Sequence, residues 1–305
     1  MPEPVLYFVI PCFNEEKVIE TTASRVKDKL NCFIASGRVS AQSRICFLDD
    51  GSSDRTWEIL LKLQRENESF IALQHNRNYG EQYAYLTGIR YAAEYADIII
   101  TMDADLQDDI HATDAMIDAF FQGSDIVYGV RSSRKQDRRF QRITSGLFYR
   151  FMRLCGTELV PEHSQYRLMS RRAAQSIAQN KEQRIFLPAY VPLLRLPESV
   201  VYYERKPREA GESHYNVRSL VRLASNAILS YGVNLPYILL GLCILDVILA
   251  FTAAWVCRTG ADSSVCIAVL AVCIPGAALS GGMFLLAKKE MLRHLRAKKR
   301  PGKKD

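Results

Sequence analysis

The sequence has no CxxC pair and no cysteine–histidine spacing that would hold zinc, although it contains eight cysteines. Cys12, Cys32, Cys46, Cys155, Cys243, Cys257, Cys266 and Cys273 are scattered, several in apolar surroundings where cysteine acts as a small hydrophobe. This excludes a disulfide framework and points to a reducing compartment. The opening "MPEPVLYFVIPCFNEE" lacks a basic segment followed by a long apolar one. No signal peptide is expected, and the main domain is expected in the cytoplasm. Neither GxGxxG nor GxxxxGK[ST] occurs, so the phosphate-binding fingerprints of nicotinamide and P-loop enzymes are absent. Charge of one sign is in small excess, +7 over 305 residues.

What charge there is has been placed. Nine basic residues follow Ala287, in "KKEMLRHLRAKKRPGKKD". Beside an apolar run, such a tail suits anionic lipid headgroups, and nucleic acid is not expected as a partner.

Strand and helix signals alternate up to about residue 160. "VLYFVI", "RICFLDD", "FIALQH", "DIIITMD" and "DIVYGV" read as strands. "EEKVIETTASRVKDKL", "DRTWEILLKLQREN", "GEQYAYLTGIRYAAEY" and "HATDAMIDAFFQG" read as helices between them. The alternation predicts an α/β fold with a doubly wound, mostly parallel sheet. Ligands of such sheets bind beyond the carboxyl ends of the strands. Two strands end in acid at that edge, at Asp49–Asp50 and at Asp103–Asp105.

The last third is apolar. Residues 235–256 and 264–287 are each long enough to cross about 30 Å of hydrocarbon, joined by the short "CRTGADS". The expectation is a two-helix transmembrane hairpin over 233–287. A basic tail over 288–305 follows, with both termini in the cytoplasm. Gly276, Ala277, Ser280 and Gly281 have the small-residue spacing that lets helices approach closely. Over 216–232, Val217, Leu220, Val221, Ala224 and Ile228 share one helical face. That segment fits an interfacial helix on the membrane, and it fits an amphipathic helix packed on the domain equally well. Asp246, near the middle of the first apolar run, is an expensive charge there and a hint of function.

In "DIIITMDADLQDD" a buried-strand signal gives way to Asp103, Asp105, Asp108 and Asp109. Two carboxylates one residue apart at a strand end can reach one hard cation, Mg²⁺ or Mn²⁺. Such a cation offsets their repulsion and stabilises a nucleoside diphosphate leaving group. An isolated Asp-x-Asp is common, so its companions decide.

"VIPCFNEE", "LDDGSSDRT", "NRNYGEQYAYLTGIRYA", "MDADLQDD" and "VYGVRSSR" occur in this order. Together they resemble the family 2 glycosyltransferases with a GT-A fold. The chain from 5 to 301 is similar to their membrane-anchored polyisoprenyl-phosphate branch, the bactoprenol glucosyltransferases and dolichol-phosphate mannose synthase relatives. "RKPREAGESHYNVRSLVRLA" carries the resemblance past the core. It implies a cytoplasmic catalytic domain over 1–215, a homo-oligomer such as a tetramer, and a place in the plasma membrane. It implies a nucleotide pocket of Pro11, Phe13, Asn14, Glu15 and Asp50, with Gly51 and Ser52 giving close backbone approach. Asp103 would face the nucleotide-sugar. Asp103, Asp105 and Gln107 would form the metal site. Arg131, Arg142 and Ser145 would meet the acceptor phosphate, and Arg208 would grip a phosphate with its planar fork. Catalysis would rest on Asp103, Asp105, Arg131 and Arg208.

The implied reaction is inverting transfer of a hexose from UDP-glucose or a related donor to undecaprenyl phosphate or another polyisoprenyl phosphate. GDP-mannose is the alternative donor. A processive synthase would carry Gln-x-x-Arg-Trp, and neither Trp57 nor Trp255 has that context. A non-catalytic membrane protein that keeps the nucleotide-sugar fold is the other alternative. Two departures from the branch bear on it: Gln165 where an Asp is usual, and His214 where a Lys is usual.

Overall fold

The computed structural model describes residues 3–132, 150, 154, 163–180, 186–204, 235–258, 271, 273, 275–286 and 288–289. Arg142, Ser145, Arg208, His214, the amphipathic segment 216–232 and nearly all of the basic tail lie outside the described residues.

The chain divides into two compact units. One comprises Met1–Arg142 and Val160–His214; the other comprises Ile143–Leu159 and Tyr215–Asp305. In the first, β1 (Leu6–Cys12), β2 (Arg44–Asp49), β3 (Phe70–Gln74), β4 (Ile98–Thr101) and β5 (Ile126–Arg131) alternate with α1 (Ile19–Ala35), α2 (Thr56–Glu66), α3 (Glu81–Ala92) and α4 (Ala112–Phe121). Then come β6 (His163–Ser170), α5 (Arg171–Ala178), α6 (Leu187–Tyr190), a 3₁₀ turn (Val191–Leu194) and β7 (Glu198–Tyr203). One seven-stranded sheet results, in the order β3-β2-β1-β4-β6-β5-β7. Only β6 runs antiparallel to its neighbours β4 and β5. The mostly parallel, doubly wound expectation holds, and the two strands after residue 160 were not foreseen.

Both faces of the central strands are buried, which is why they read as unbroken apolar runs rather than alternating ones. Leu6, Phe8 and Ile10 of β1 pack with Val26, Leu30 and Phe33 of α1 and Met116 and Ile117 of α4. Tyr7 and Val9 face the other way, into Tyr85, Leu86 and Ile89 of α3 and Ala173, Ala174 and Ile177 of α5. Helix α3 lies so close to β1 that a Cβ on Gly88 would stand 2.4 Å from Val9 Cγ1. This layering brings the carboxyl ends of β1, β2, β4, β5 and β7 to one edge, together with the start of β6.

In the second unit, α7 (Leu235–Arg258) has 24 residues, about 36 Å at 1.5 Å per residue. Among residues with described side chains, which for α7 are 236–252, no helix is long and apolar enough to cross a membrane. A second helical stretch runs over 275–286. The two meet through small residues: Cys243 Sγ lies 3.4 Å from the Ala277 carbonyl oxygen. A Cβ on Gly276 would stand 3.1 Å from Asp246 Oδ2. The small-residue spacing read from the sequence is the surface on which these helices approach each other.

Candidate active site

The loops after β1 and β2 are knitted together. Asn14, with φ of 56°, donates its backbone N–H to Ser52 Oγ at 2.9 Å and accepts the Ser53 N–H on Oδ1 at 2.8 Å. Asparagine tolerates this left-handed conformation better than most residues. The Glu15 N–H donates to Thr56 Oγ1, and the Glu15 carbonyl accepts the N–H groups of Val18 and Ile19 at the start of α1. Pro11 pairs in register with Leu48, and Pro11, Phe13, Asn14 and Glu15 are all half-buried beside this junction.

Asp50 is 3% exposed, and the chain itself uses its carboxylate. Oδ1 accepts the Tyr79 N–H at 3.0 Å and pairs with His75 Nδ1 at 2.7 Å. Oδ2 accepts the Gly80 N–H at 2.7 Å. The backbone that approaches Gly51 is also the chain's own. At φ 71°, a Cβ there would stand 2.5 Å from the Arg77 carbonyl carbon. Asp50 and Gly51 therefore shape the 75–80 loop, and whatever Asp50 offers a nucleotide is set by that loop.

The acidic segment after β4 is clamped from four sides. Thr22 of α1, fully buried, donates to the Ala104 carbonyl at 2.7 Å. Tyr85 of α3 donates to Asp103 Oδ1 at 2.6 Å. Tyr203, ending β7, donates to Asp108 Oδ1, and Tyr166 of β6 donates to the Asp109 carbonyl at 3.0 Å. Within the segment, Leu106 takes φ of 57° and the Gln107 N–H donates to Asp105 Oδ1. A leucine in that conformation is strained by about 1–2 kcal/mol, and such strain gathers at functional loops. Asp103, Asp105 and Gln107 stand together in the short segment after β4.

Electrostatics show how crowded this charge is. Burial, then Asp103, Asp105 and Asp108, pushes Glu81 at the start of α3 up to about 8. Burial and Asp103 push Asp108 up to about 7, against the Tyr203 hydrogen bond and the Arg131 charge. Asp108 Oδ2 is buried with no hydrogen-bond partner, and so is Arg131 Nε. Burial acts to lower the Arg131 pKa, but Tyr203, Asp108 and Asp103 outweigh it and the net direction is up. Arg131, at the end of β5, therefore belongs to the same electrostatic cluster. Among the described residues no three His, Cys, Asp or Glu side chains could hold a metal ion by themselves. Mg²⁺ is commonly held by one or two carboxylates with water and substrate phosphates, and the donor set here fits that mode.

Gln165 has a structural task. Its Oε1 accepts from Arg167 Nη2 at 2.7 Å. Arg167 is 1% exposed, Nη1 has no partner, and burial holds its pKa down to about 10 against the opposing influence of Tyr128 and Tyr85. Sequence reasoning missed Glu81, Tyr85, Arg167 and Tyr203. Glu81 and Tyr85 lay inside a quoted motif, but only the fold brings the start of α3 to the loop after β4.

Comparison with known proteins agrees with the loops in their order. The model described as Glycosyl transferase family 2 matches residues 7–178, more than half of the chain. The uncharacterised glycosyltransferase YkoT of Bacillus subtilis (strain 168) is 37% identical over 231 residues, 76% of this chain and 68% of that protein. The bactoprenol glucosyl transferase of Shigella phage SfV is 31% identical over 227 residues, 73% of this chain and 71% of its own. The structure of glucosyl-3-phosphoglycerate synthase from Mycobacterium tuberculosis has 18% identity and a TM-score of 0.49, over 74% of this chain and 78% of that one. A sheet that delivers these loops to one edge, and a sequence match that spans them, make this chain a glycosyltransferase belonging to glycosyl transferase family 2.

Proposed function

We propose that the chain transfers a hexose from a nucleotide-sugar, UDP-glucose first, to a polyisoprenyl phosphate, undecaprenyl phosphate first, at the cytoplasmic face of a membrane. The observation that carries this reading is the 31% identity to a bactoprenol glucosyl transferase across 73% of the chain. The exposed apolar side chains of α7, among them Leu242, Ile244, Ile248 and Phe251, support it, because a water-facing helix would not present them together. In this reading residues 1–215 are the catalytic domain, 216–232 lie at the interface, 235–256 and 264–287 cross the membrane, and 288–305 return to the cytoplasm. The assembly is a homo-oligomer.

Pro11, Phe13, Asn14, Glu15 and Asp50 line the nucleotide pocket, Asp50 acting through the loop it fixes. Asp103, Asp105 and Gln107 would hold Mg²⁺ or Mn²⁺. When bound, the cation offsets the charge of a departing nucleoside diphosphate. Arg131, Arg142, Ser145 and Arg208 engage phosphate. A lipid phosphate is already anionic near neutral pH, so these residues position and neutralise rather than generate a nucleophile. In-line attack on the anomeric carbon inverts its configuration.

The test offers the detergent-solubilised chain UDP- and GDP-sugars with three acceptors: undecaprenyl phosphate, a soluble phosphorylated acid, and water. The reading predicts sugar extracted with the lipid alone. Transfer to the soluble acid in preference to the lipid contradicts it.

A further inference from the structure

Tyr85 lies on the face of α3 that packs on the sheet, beside Leu86 and Ile89, where a leucine or phenylalanine would fill the same space. It is fully buried, and a buried phenol needs a hydrogen-bond partner. Its partner is Asp103 Oδ1 at 2.6 Å, a charge-assisted bond to the first acid of the Asp-Ala-Asp turn. One bond of this kind fixes which way the carboxylate faces. It also places a donor among Asp105, Asp108 and Glu81, acids crowded enough to raise the Glu81 and Asp108 pKa values.

Arg167 is buried on the same face of the sheet, in register with Tyr128 of β5. Its Nη2 donates to Oε1 of Gln165, a neutral side chain. The glutamine holds the guanidinium from the neighbouring strand position.

We propose that Tyr85 is a positioning residue of this active site: its hydroxyl sets the Asp103 carboxylate for a divalent cation and a nucleoside diphosphate. The proposal rests on the glycosyl-transfer reading given above.

The test measures Mn²⁺ binding to the full detergent-solubilised chain by electron paramagnetic resonance, with UDP or GDP present, alongside kcat in the transfer assay. Tyr85→Phe removes only the hydroxyl and keeps the ring. It should weaken Mn²⁺ binding about tenfold, as loss of a group that orients a ligand does, and lower kcat with little change in Tm. Tyr128→Phe removes another buried phenol next to Arg167 and should leave Mn²⁺ affinity at the wild-type value. Wild-type Mn²⁺ affinity in Tyr85→Phe overturns the proposal, and so does equal weakening in both variants. A wild-type chain that binds no Mn²⁺ with either nucleotide overturns the metal reading of the site, and this proposal with it.

Discussion

Asp50 accepts the backbone N–H of Gly80 at 2.7 Å, so one side chain ties the end of β2 to the start of α3. The same carboxylate holds the Tyr79 N–H and His75. Asp50→Ala leaves these partly buried groups without their acceptor, at a cost of about 2 kcal/mol. Chemical denaturation should show that loss, and calorimetric titration should show weaker UDP binding because the 75–80 loop is no longer held. Asp50→Asn keeps one acceptor oxygen and should lose less of both.

Gly51 and Gly88 both sit where a Cβ would collide, but against different neighbours. At Gly51 the obstacle is the Arg77 backbone at 2.5 Å, and the φ of 71° adds strain. At Gly88 it is a Val9 methyl at 2.4 Å, a side-chain atom rather than backbone, and no positive φ adds strain. Gly51→Ala should therefore be the more damaging substitution, lowering the urea midpoint further than Gly88→Ala does. The reverse order would mean that the 75–80 loop yields more easily than the α3–β1 contact.

The crowded carboxyls predict a pH dependence. Glu81 is pushed up to about 8 and Asp108 up to about 7, both by burial first and neighbouring aspartates next. In the unfolded chain they titrate near the ordinary carboxyl values of about 4. Between those limits the folded, metal-free chain binds more protons than the unfolded one, so its stability falls as pH rises. Glu81→Gln removes the Glu81 share. In EDTA it should raise Tm by about 2–4 °C at pH 8.5 and change it little at pH 5. An equal gain at both values would show that Glu81 does not titrate late.

Arg131 reaches the acidic cluster from β5, with a buried Nε that has no partner. If it meets the acceptor phosphate, Arg131→Ala should lower kcat/KM for the lipid by about a hundredfold. Nucleotide binding should persist. Lysine restores a charge but not the planar fork, and should recover only part of the rate.

Much of this was legible in the sequence because local rules carried it. The runs around Ile45 and Ile98–Ile100 are apolar throughout since both sheet faces are covered, and the acids after them stand at the carboxyl ends of those strands. β6 escaped because "HSQYRLMS" places an arginine in the core, where its exposure is 1%, and no pattern rule assigns a buried cation to a strand. The partnership of Tyr85 with Asp103 escaped for another reason. It joins residues 18 positions apart whose meeting depends on how α3 crosses the sheet. Gln165 looked like a lost carboxylate until the structure showed Arg167 bonded to it.

The central claim is that the turn at Asp103 and Asp105 serves metal-dependent transfer to a lipid phosphate. The most direct measurement is the formation of lipid-linked sugar from undecaprenyl phosphate by the wild-type chain and by Asp105→Ala, with and without EDTA, at equal folded protein. The account predicts product from the wild-type chain with Mg²⁺ or Mn²⁺ and none from the variant or after chelation. Undiminished product from Asp105→Ala, or no product from the wild-type chain with any donor despite measurable nucleotide binding, would contradict it.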